Sequence, residues 1–307
     1  MDRAAVEAAV SPERAVDAVR DAFVAHAHGE WSMPPKVYVT NYPAGDFRAM
    51  PALGGGHALL KWITSFPGNP ARGLPTVVGI VLVSDASTGE LQAVLDAASV
   101  TALRTGAAAV LAAETLGRAD ARSAAVIGAG VNGRAAARTF VARGRSVAVW
   151  DVDPARAGQV ASELGCSVAA TREEALAADL VVTVTPGHEL VLADGSLQPG
   201  QHVSLMGADG PGKAEVAGPE LARAHLFCDD WEQASHGGEL AHAVEAGLVV
   251  EEDVTAIGAV LAGTAPGRAT EREITMFDST GLAIQDLAIA LAALDGVDQA
   301  TLPRLEL

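Results

Sequence analysis

A glycine-rich turn at residues 128–133 constrains the fold more than any other stretch of this chain. The apolar run "SAAVI" precedes the turn and the helical pattern "VNGRAAARTFVARG" follows, so that Gly128, Gly130 and Gly133 have GxGxxG spacing between a strand and a helix. In dinucleotide-binding folds the first glycine permits a tight turn and the second lets a pyrophosphate approach the backbone, where the helix N-terminus attracts its charge. The stretch therefore predicts a dinucleotide-binding unit.

The sequence after this turn continues to alternate between strands and helices. The short apolar segments "SVAVW", "LVVTV" and "HVSLMG" are separated by helical patterns. Such alternation is typical of a doubly wound parallel sheet. We therefore predict an α/β fold with a Rossmann-type, NAD-binding domain over residues 119–279.

The first part of the chain has a different pattern. Residues 1–30 read as helix, in which Ser11 and Pro12 match the N-cap and N1 positions of a second helical segment. Short β-rich runs with Gly, Pro and Asn breaks follow, and "SDASTGE" predicts a hairpin turn. The late helical pattern "GLAIQDLAIALAALDG" is expected to fold back onto this half. We predict a mainly antiparallel, discontinuous α+β domain formed by residues 1–118 and 280–307.

Charge and apolar-run length exclude several classes of partner. A net charge of −17 argues against nucleic acid and against an anionic membrane surface. The longest apolar runs, such as "VVGIVLV", fall short of the roughly 20 residues of a membrane helix, and the N-terminus lacks the apolar core of a signal peptide. Two cysteines without metal-type spacing favour free thiols and no metal site. The expected location is the cytoplasm.

Asp151 lies at the end of the strand that follows the glycine-rich helix, 23 residues after Gly128. A carboxylate there accepts hydrogen bonds from the adenosine ribose and repels a 2′-phosphate, which favours NAD over NADP. Arg156 follows closely and would soften that exclusion. An alternative reading, in which Asp151 and Asp153 cap the helix begun by Pro154, is compatible with either cofactor.

The loop "MGADGPGKAEV" at residues 206–216 carries a candidate acid/base. Asp209 follows a predicted parallel strand, at the edge where open α/β sheets bind their ligands. A carboxylate placed there can transfer protons near a nicotinamide. An Asp-Gly turn without a chemical role fits the same letters equally well. Lys213 in this loop either binds phosphate or is solvated.

The few lysines of the first half stand in unusual surroundings. The chain has three lysines against eighteen arginines, and Lys61 lies inside the apolar run "ALLKWITSF". Lys36 follows two prolines, while Arg48 and Arg104 lie in "FRAMP" and "TALRTG". One cation in a strand is usually exposed at an edge. Four in such settings predict a pocket for a carboxylate, which arginine binds bidentately and lysine as a point charge.

Seven segments, in this order, resemble the signatures of the ornithine cyclodeaminase/μ-crystallin family. They are "PPKVYV", "FRAMPAL", "LLKWITSFPGN", "TALRTGAAA", "GAGVNG", "GADGPGKAEV" and "FDSTGLAIQDL", between about residues 33 and 290. The resemblance implies an NAD-dependent homodimer. In it, the discontinuous domain would bind the substrate and form the dimer, with the nucleotide-binding domain inserted.

The same resemblance implies roles for individual residues. Lys36, Lys61 and Arg104 match positions that hold the substrate carboxylate, and Asp209 matches the catalytic aspartate, with Lys61 as a second catalytic candidate. Arg48 stands where ornithine cyclodeaminases carry glutamate and resembles the alanine dehydrogenases of archaeal type, in which this position contacts a short oxo acid. Further cofactor contacts are expected at Thr105, Val131, Asn132, Thr185, Met206, Gly207, Ser279 and Gly281.

The expected activity is that of an NAD-dependent dehydrogenase that interconverts a small, alanine-like L-amino acid and its 2-oxo acid plus ammonia. Reduction of a cyclic imine such as pyrroline-2-carboxylate, action on an N-alkyl amino acid, and ornithine cyclodeamination remain alternatives. A further alternative is a non-catalytic NAD(H)-dependent binding protein of μ-crystallin type, against which the presence of Asp209 beside the cations argues. The expected partners are the small substrate and a second copy of the chain, with no nucleic acid or membrane.

Overall fold

The computed structural model describes residues 1–187, 189–210, 212–298, 300 and 302–304. The chain divides into two compact units: residues 1–104 with 282–307, called unit 1, and residues 105–281, called unit 2. Unit 1 is therefore discontinuous in sequence. The domain limits given above, at 118/119 and 279/280, stay predictions.

Unit 1 begins with two helices and continues with antiparallel strands. As predicted, Ser11 caps the second helix by accepting a hydrogen bond from the backbone N–H of Arg14 (3.2 Å), and Pro12 is its first residue. Within the described residues the strands form a five-stranded antiparallel sheet in the order β1-β2-β3-β4-β5, which confirms the predicted sheet type. The elements are α1 (Arg3–Ala9), α2 (Pro12–Ala27), β1 (Val37–Asn41), β2 (Gly45–Gly54), β3 (His57–Ser65), β4 (Val77–Asp85) and β5 (Leu91–Asp96), with a 3-10 helix at Asn69–Arg72.

Helix α3 (Ala97–Leu116) leads from unit 1 into unit 2. The strands that follow are β6 (Ser123–Ile127), β7 (Ser146–Trp150), β8 (Ser167–Val168), β9 (Leu180–Thr183), β10 (His202–Leu205), β11 (His225–Cys228), β12 (Val254–Ala256) and β13 (Thr275–Asp278). The helices that connect them are α4 (Val131–Ala142), α5 (Pro154–Leu164), α6 (Arg172–Leu176), α7 (Gly218–Leu221), α8 (Trp231–Gly237), α9 (Ala241–Glu245) and α10 (Ile257–Leu261), with a 3-10 helix at Glu251–Asp253.

The strands of unit 2 form a parallel sheet, in the order β12-β11-β13-β10-β9-β6-β7-β8 among the described residues. This confirms the Rossmann-type, doubly wound architecture. The chain passes from β6 outward to β7 and β8, and then returns to β9 on the other side of β6. The topological switch point therefore lies between β6 and β9, at the edge where such sheets bind ligands.

Helix α11 (Ala283–Asp295) returns to unit 1 and packs against α2, β2 and β3. It is apolar around nearly its whole circumference, as expected of a helix surrounded by other elements. The register pairs Met50 with Lys61, and Lys61 with Val81, so that these side chains share one face of the sheet. All three are buried on this face, called the inner face.

The opposite face of this antiparallel sheet, called the outer face, is apolar and solvent-exposed. Trp62 and Ile80 are register partners on it, with 38% and 44% of their surface exposed. Other exposed apolar side chains of the outer face are Val37, Val39, Leu53, Leu60 and Val78. An apolar patch of this kind marks an interaction surface.

Two further observations bear on the sequence-based expectations. Within the described part of the chain, no helix combines the length and the apolar character that a membrane crossing requires. Both cysteines carry free thiols, and Cys228 is buried while Cys166 is half-buried.

Candidate active site

The glycine-rich turn after β6 in unit 2 has the geometry that its sequence predicts. Gly128 has φ +108°, and a Cβ on it would lie 2.6 Å from the Val184 carbonyl oxygen. A Cβ on Gly133 would overlap the carbonyl oxygen of Gly128. By contrast, apart from Gly130 and its two chain neighbours, no heavy atom of the described residues lies within 4 Å of a Cβ built on Gly130, the N-cap of α4. The open position beside the N-terminal N–H groups of α4 fits a pyrophosphate.

Asp151 and Asp153 follow β7 but make different contacts. Asp151 accepts hydrogen bonds from the backbone N–H of Ala129, in the glycine-rich turn (2.7 Å), and of Asp153 (2.8 Å). Asp153 caps α5 by accepting from Ala155 N–H (3.0 Å), and it also pairs with Arg156. The helix-cap reading therefore holds for Asp153, whereas Asp151 is fixed beside the turn expected to hold the dinucleotide.

The other predicted cofactor residues of unit 2 lie either at the start of α4 or after the carboxyl ends of the parallel strands. Val131 and Asn132 are the first residues of α4, behind the glycine-rich turn. Since the strands are parallel, the residues after β9, β10 and β13 reach the same edge of the sheet as that turn. These are Thr185, Met206, Gly207, Ser279 and Gly281.

Thr105 lies in α3 and is buried, and among the described residues its hydroxyl has no hydrogen-bond partner. A buried hydroxyl without a partner is unfavourable in a folded protein, so that it marks a place where a ligand can complete the structure. This observation fits the predicted cofactor contact at Thr105.

Glu215 is a buried residue of unit 2 that the sequence reasoning missed. Its carboxylate accepts hydrogen bonds from the Thr183 hydroxyl (2.6 Å) and the Thr185 N–H (2.7 Å) at the end of β9. It also accepts one from Gly207 N–H (3.1 Å) after β10. Burial raises the pKa of Glu215, and these hydrogen bonds oppose that shift. Glu215 thus ties together two strand ends that carry predicted cofactor residues.

Two more carboxylates are buried next to Glu215. Glu239 accepts hydrogen bonds from Glu215 N–H (2.8 and 2.9 Å), while Asp278 accepts one from Leu240 N–H (3.1 Å). Burial, followed by the negative charges of Glu215 and Asp278, raises the pKa of Glu239 well above its usual range. We call Glu215, Glu239 and Asp278 the buried acidic cluster.

Asp229, at the end of β11, explains the positions of Ser279 and Gly281. Its carboxylate accepts hydrogen bonds from the Ser279 hydroxyl (3.2 Å), the Thr280 hydroxyl (3.1 Å) and Gly281 N–H (2.7 Å). Gly281 has φ +80°, which a side chain would disfavour. Asp229 therefore fixes the turn after β13, and nothing in its local sequence pattern distinguished it from a surface acid.

Asp209 lies in the loop after β10, with its side chain 34% exposed. Its Oδ1 accepts a hydrogen bond from Lys213 Nζ at 2.5 Å, so that Lys213 is the counterion of Asp209 in this structure. A partly exposed ion pair of this type contributes roughly 1 kcal/mol or less. Breaking the ion pair with Lys213 therefore costs little free energy. Pro211 of the same loop lies outside the described residues.

In unit 1, Lys61 lies in the middle of β3 and is 1% exposed. Its Nζ lies 2.6 Å from Asp286 Oδ2, and it donates a hydrogen bond to the Thr101 hydroxyl (3.3 Å). Arg104 Nε lies 3.6 Å from the other carboxylate oxygen of Asp286. Lys61 and Arg104 thus share one fully buried carboxylate. We call Lys61, Arg104 and Asp286 the Asp286 cluster.

The charge state of Lys61 is finely balanced. Desolvation is the largest influence and lowers the pKa of Lys61 to about 7, while the Asp286 carboxylate raises it. The positive charges of Arg104 and Lys36 lower it further. Lys36, which is half-buried, is therefore close enough to act on Lys61 electrostatically.

Arg48 lies on the same face of the sheet as Lys61, two residues before the register partner of Lys61, Met50. Its Nε donates to Asp46 Oδ1 (2.6 Å) and its Nη2 to Asp46 Oδ2 (3.3 Å). The guanidinium also lies 5.4 Å from the ring centroid of Tyr38. Asp46 offsets the Arg48 charge, so that Arg48 would repel a second ammonium group on the substrate less than an unpaired guanidinium would.

The burial of Asp286 could have been predicted from the sequence. It is the one charged residue before Asp295 in the helical pattern "GLAIQDLAIALAALDG", just as Lys61 is the one charged residue of "ALLKWITSF". Two opposite charges in otherwise apolar segments predict a buried pair, because neither is stable there alone. Asp46 gave no such signal, since it is the second residue of β2 and directly follows a turn rich in Asn, Pro and Gly, where an acid is usually solvated.

Comparisons with known proteins agree along nearly the whole chain. The model of the ornithine cyclodeaminase/mu-crystallin family matches residues 1–300. Alanine dehydrogenase of Archaeoglobus fulgidus is 43% identical over 292 residues, covering 93% of this chain and 90% of that protein. An archaeal alanine dehydrogenase dimer with bound NAD superposes with a TM-score of 0.91 at 41% identity, covering 96% of this chain and 94% of that one. Δ1-Pyrroline-2-carboxylate reductase of Thermococcus litoralis, in complex with NADH and L-proline, gives a TM-score of 0.90 at 27% identity, with 96% of each chain covered.

Proposed function

This chain belongs to the ornithine cyclodeaminase/mu-crystallin family, and on that premise we propose that it is an NAD-dependent dehydrogenase of a small, alanine-like L-amino acid. In the direction of amination, the 2-oxo acid, ammonia, NADH and a proton give the amino acid, NAD⁺ and water. The similarity to an archaeal alanine dehydrogenase supports this reaction. The observation that carries the substrate class is the set of buried cations in unit 1.

Unit 2 provides the cofactor site. The open position at Gly130, the N-terminus of α4 and the Asp151 carboxylate fit the pyrophosphate and the ribose of NAD. Bound NAD supplies the acceptor for the hydride on the substrate α-carbon, and NADH supplies the hydride in reverse. Asp151 sets the preference for NAD, because its negative charge opposes a 2′-phosphate.

Unit 1 provides the carboxylate site. Lys36, Lys61 and Arg104 bind the substrate carboxylate, and Arg48 polarises the 2-oxo group. Asp46 and Asp286 each bind a cation of this group, so that the guanidinium and ammonium groups are held in place before the substrate arrives. Because these contacts are buried, the electrostatic attraction of a carboxylate is stronger here than at the protein surface.

Asp209 is the acid/base. In amination, the ammonia that attacks the 2-oxo carbon must lose protons, and the oxygen must leave as water. The Asp209 carboxylate accepts a proton from the nitrogen and returns one to the departing oxygen. Its partly exposed ion pair with Lys213 is weak, so that breaking this bond during the step costs little free energy.

The protein acts as a homodimer formed through the outer face. The 41% identical archaeal relative is a dimer. The outer face carries the contiguous apolar surface that a second copy of the same chain would cover.

The test of function is a comparison of substrates. With wild-type protein, NADH oxidation should be rapid with pyruvate plus ammonium and slower with pyrroline-2-carboxylate. With pyruvate plus ammonium, oxidation of NADPH should be slow compared with that of NADH. Ornithine should yield little proline, because Arg48 stands where ornithine cyclodeaminases carry glutamate, and a guanidinium does not attract the distal ammonium. Efficient proline formation without activity on alanine would instead establish a cyclodeaminase. NADH binding without turnover of any of these substrates would indicate a binding protein.

A further inference from the structure

Asp286 differs from the buried carboxylates of unit 2 in the kind of partner that it has. Glu215, Asp229 and Glu220 each accept at least two hydrogen bonds from backbone N–H groups, so that they hold loops in place. No backbone N–H group of the described residues donates a hydrogen bond to Asp286. Its partners are the charged side chains of Lys61 and Arg104.

The surroundings of Lys61 explain what Asp286 does for it. The charged groups that act on Lys61 are Asp286 from α11, Arg104 from α3 and Lys36 from the segment before β1. Its register partners on β2 and β4, Met50 and Val81, are apolar and buried. Asp286 is thus the negative charge that opposes both desolvation and two positive neighbours.

We propose that Asp286 is a positioning residue of the reaction: it keeps the Lys61 ammonium charged and oriented, with Arg104, for the substrate carboxylate. This inference rests on the proposed function, since it assigns Lys61 and Arg104 to that carboxylate. Without Asp286, Lys61 faces two cations in a desolvated site and loses its proton at neutral pH. A neutral amine attracts the carboxylate much less.

The charge of Lys61 can be measured without any substrate. Because the chain has three lysines, protein labelled with ¹³C-lysine gives three lysine Cε–Hε signals to follow against pH, and the Lys61→Met variant identifies one of them. In wild-type protein the Lys61 signal should titrate near pH 7. In Asp286→Asn it should titrate at least one pH unit lower, while the signals of Lys36 and Lys213 change little.

The second experiment measures the kinetics of Asp286→Asn with NADH, ammonium and the oxo acid. At pH 7.5 we expect kcat/KM for the oxo acid to fall about tenfold for each unit by which the Lys61 pKa drops, mainly through KM. The loss should shrink as the pH is lowered toward 5, because protonation restores the Lys61 charge. The Kd for NADH, measured by fluorescence, should change less than about twofold.

Asp96→Asn is the matched control. Asp96 is also an acid of unit 1 beside the start of a helix, and its Oδ2 accepts a hydrogen bond from Ser99 N–H (2.7 Å), which an amide oxygen can replace. This variant should retain the wild-type Lys61 titration and kinetics. In addition, Lys61→Met/Asp286→Asn should be no worse in kcat/KM than Lys61→Met, because Asp286 acts through Lys61.

The proposal is wrong if the Lys61 titration is the same in Asp286→Asn and in wild type. It is also wrong if both Asp286→Asn and the double variant fail to fold, since Asp286 is then a structural residue. A wild type that turns over no oxo acid refutes the proposed function instead, and the titration of Lys61 still decides the role of Asp286.

Discussion

Lys61 combines complete burial with a pKa lowered to about 7, which makes its charge sensitive to pH in the neutral range. The direction of the pH dependence of substrate binding follows from this lowered pKa of Lys61. Below about pH 7 the ammonium is present and attracts the substrate carboxylate, and above it the neutral amine predominates. Binding of the oxo acid should therefore weaken as the pH rises.

We predict that KM for pyruvate, measured at saturating ammonium and NADH, rises about tenfold between pH 6 and pH 8. The control is Lys61→Arg, because a guanidinium keeps its charge throughout this range. Its KM, whatever its absolute value, should vary little with pH. A wild-type KM that is flat over this range would contradict the assignment of Lys61 to the carboxylate.

Asp209 provides a second residue-level prediction. Asp209→Asn should keep the fold and the Kd for NADH while turnover falls by roughly 10²-fold or more, the scale of a lost general acid/base. Lys213→Gln removes the ion pair but keeps the carboxylate, so that its turnover should stay within about threefold of wild type. Near wild-type turnover in Asp209→Asn would remove this residue from the mechanism.

At the scale of elements, the antiparallel sheet has two faces with different tasks. The inner face presents Arg48 and Lys61 and is covered by α11, whereas the outer face exposes Trp62 and Ile80. Strict alternation along β3 places Lys61 and Trp62 on opposite faces. A single strand thus contributes both to the proposed substrate site and to the proposed dimer surface.

We predict that Trp62→Lys/Ile80→Lys converts the dimer into a monomer, because facing charges would be desolvated in the interface. Light scattering after gel filtration at micromolar concentration measures this. The matched control is Leu248→Lys/Val250→Lys, which changes two exposed apolar residues of unit 2 and should leave the dimer intact. If the first variant stays dimeric, the interface lies elsewhere.

Elements were more predictable from this sequence than the partners of buried charges. The parallel sheet could be predicted because each strand and helix has its own apolar period, and the glycines of 128–133 fix the turn between them. The burial of three acids could not be predicted, because it depends on chain segments far away in sequence. These acids are Asp46, Glu215 and Asp229. Glu215, for example, accepts a hydrogen bond from the backbone N–H of Thr185, which lies 30 residues away in sequence.

At the scale of the whole molecule, a protein with net charge −17 also buries carboxylates close together. Burial and like charge raise the pKa of Glu239 well above its usual range, and burial raises that of Glu215. A group whose pKa is raised on folding binds its proton more tightly in the native state. Its contribution to stability is complete below the unfolded pKa and is lost as the pH rises through the folded pKa.

We predict that Glu239→Gln is as stable as wild type, or more stable, at pH 8, because it removes a negative charge beside Glu215 and Asp278 while an amide oxygen still accepts a backbone hydrogen bond. At pH 5 the advantage should disappear, because Glu239 is then protonated. Thermal melts at both pH values measure this. An equal change in Tm at pH 5 and pH 8 would contradict the raised pKa.

The return of α11 to unit 1 sets an order of events during synthesis. Lys61 leaves the ribosome 225 residues before Asp286, a delay on the order of ten seconds or more at typical elongation rates. During this time all of unit 2 is made, while the inner face of the antiparallel sheet has no α11 to cover it. Lys61 therefore stays hydrated until α11 docks, and the proposed carboxylate site is among the last parts of the nascent protein to form.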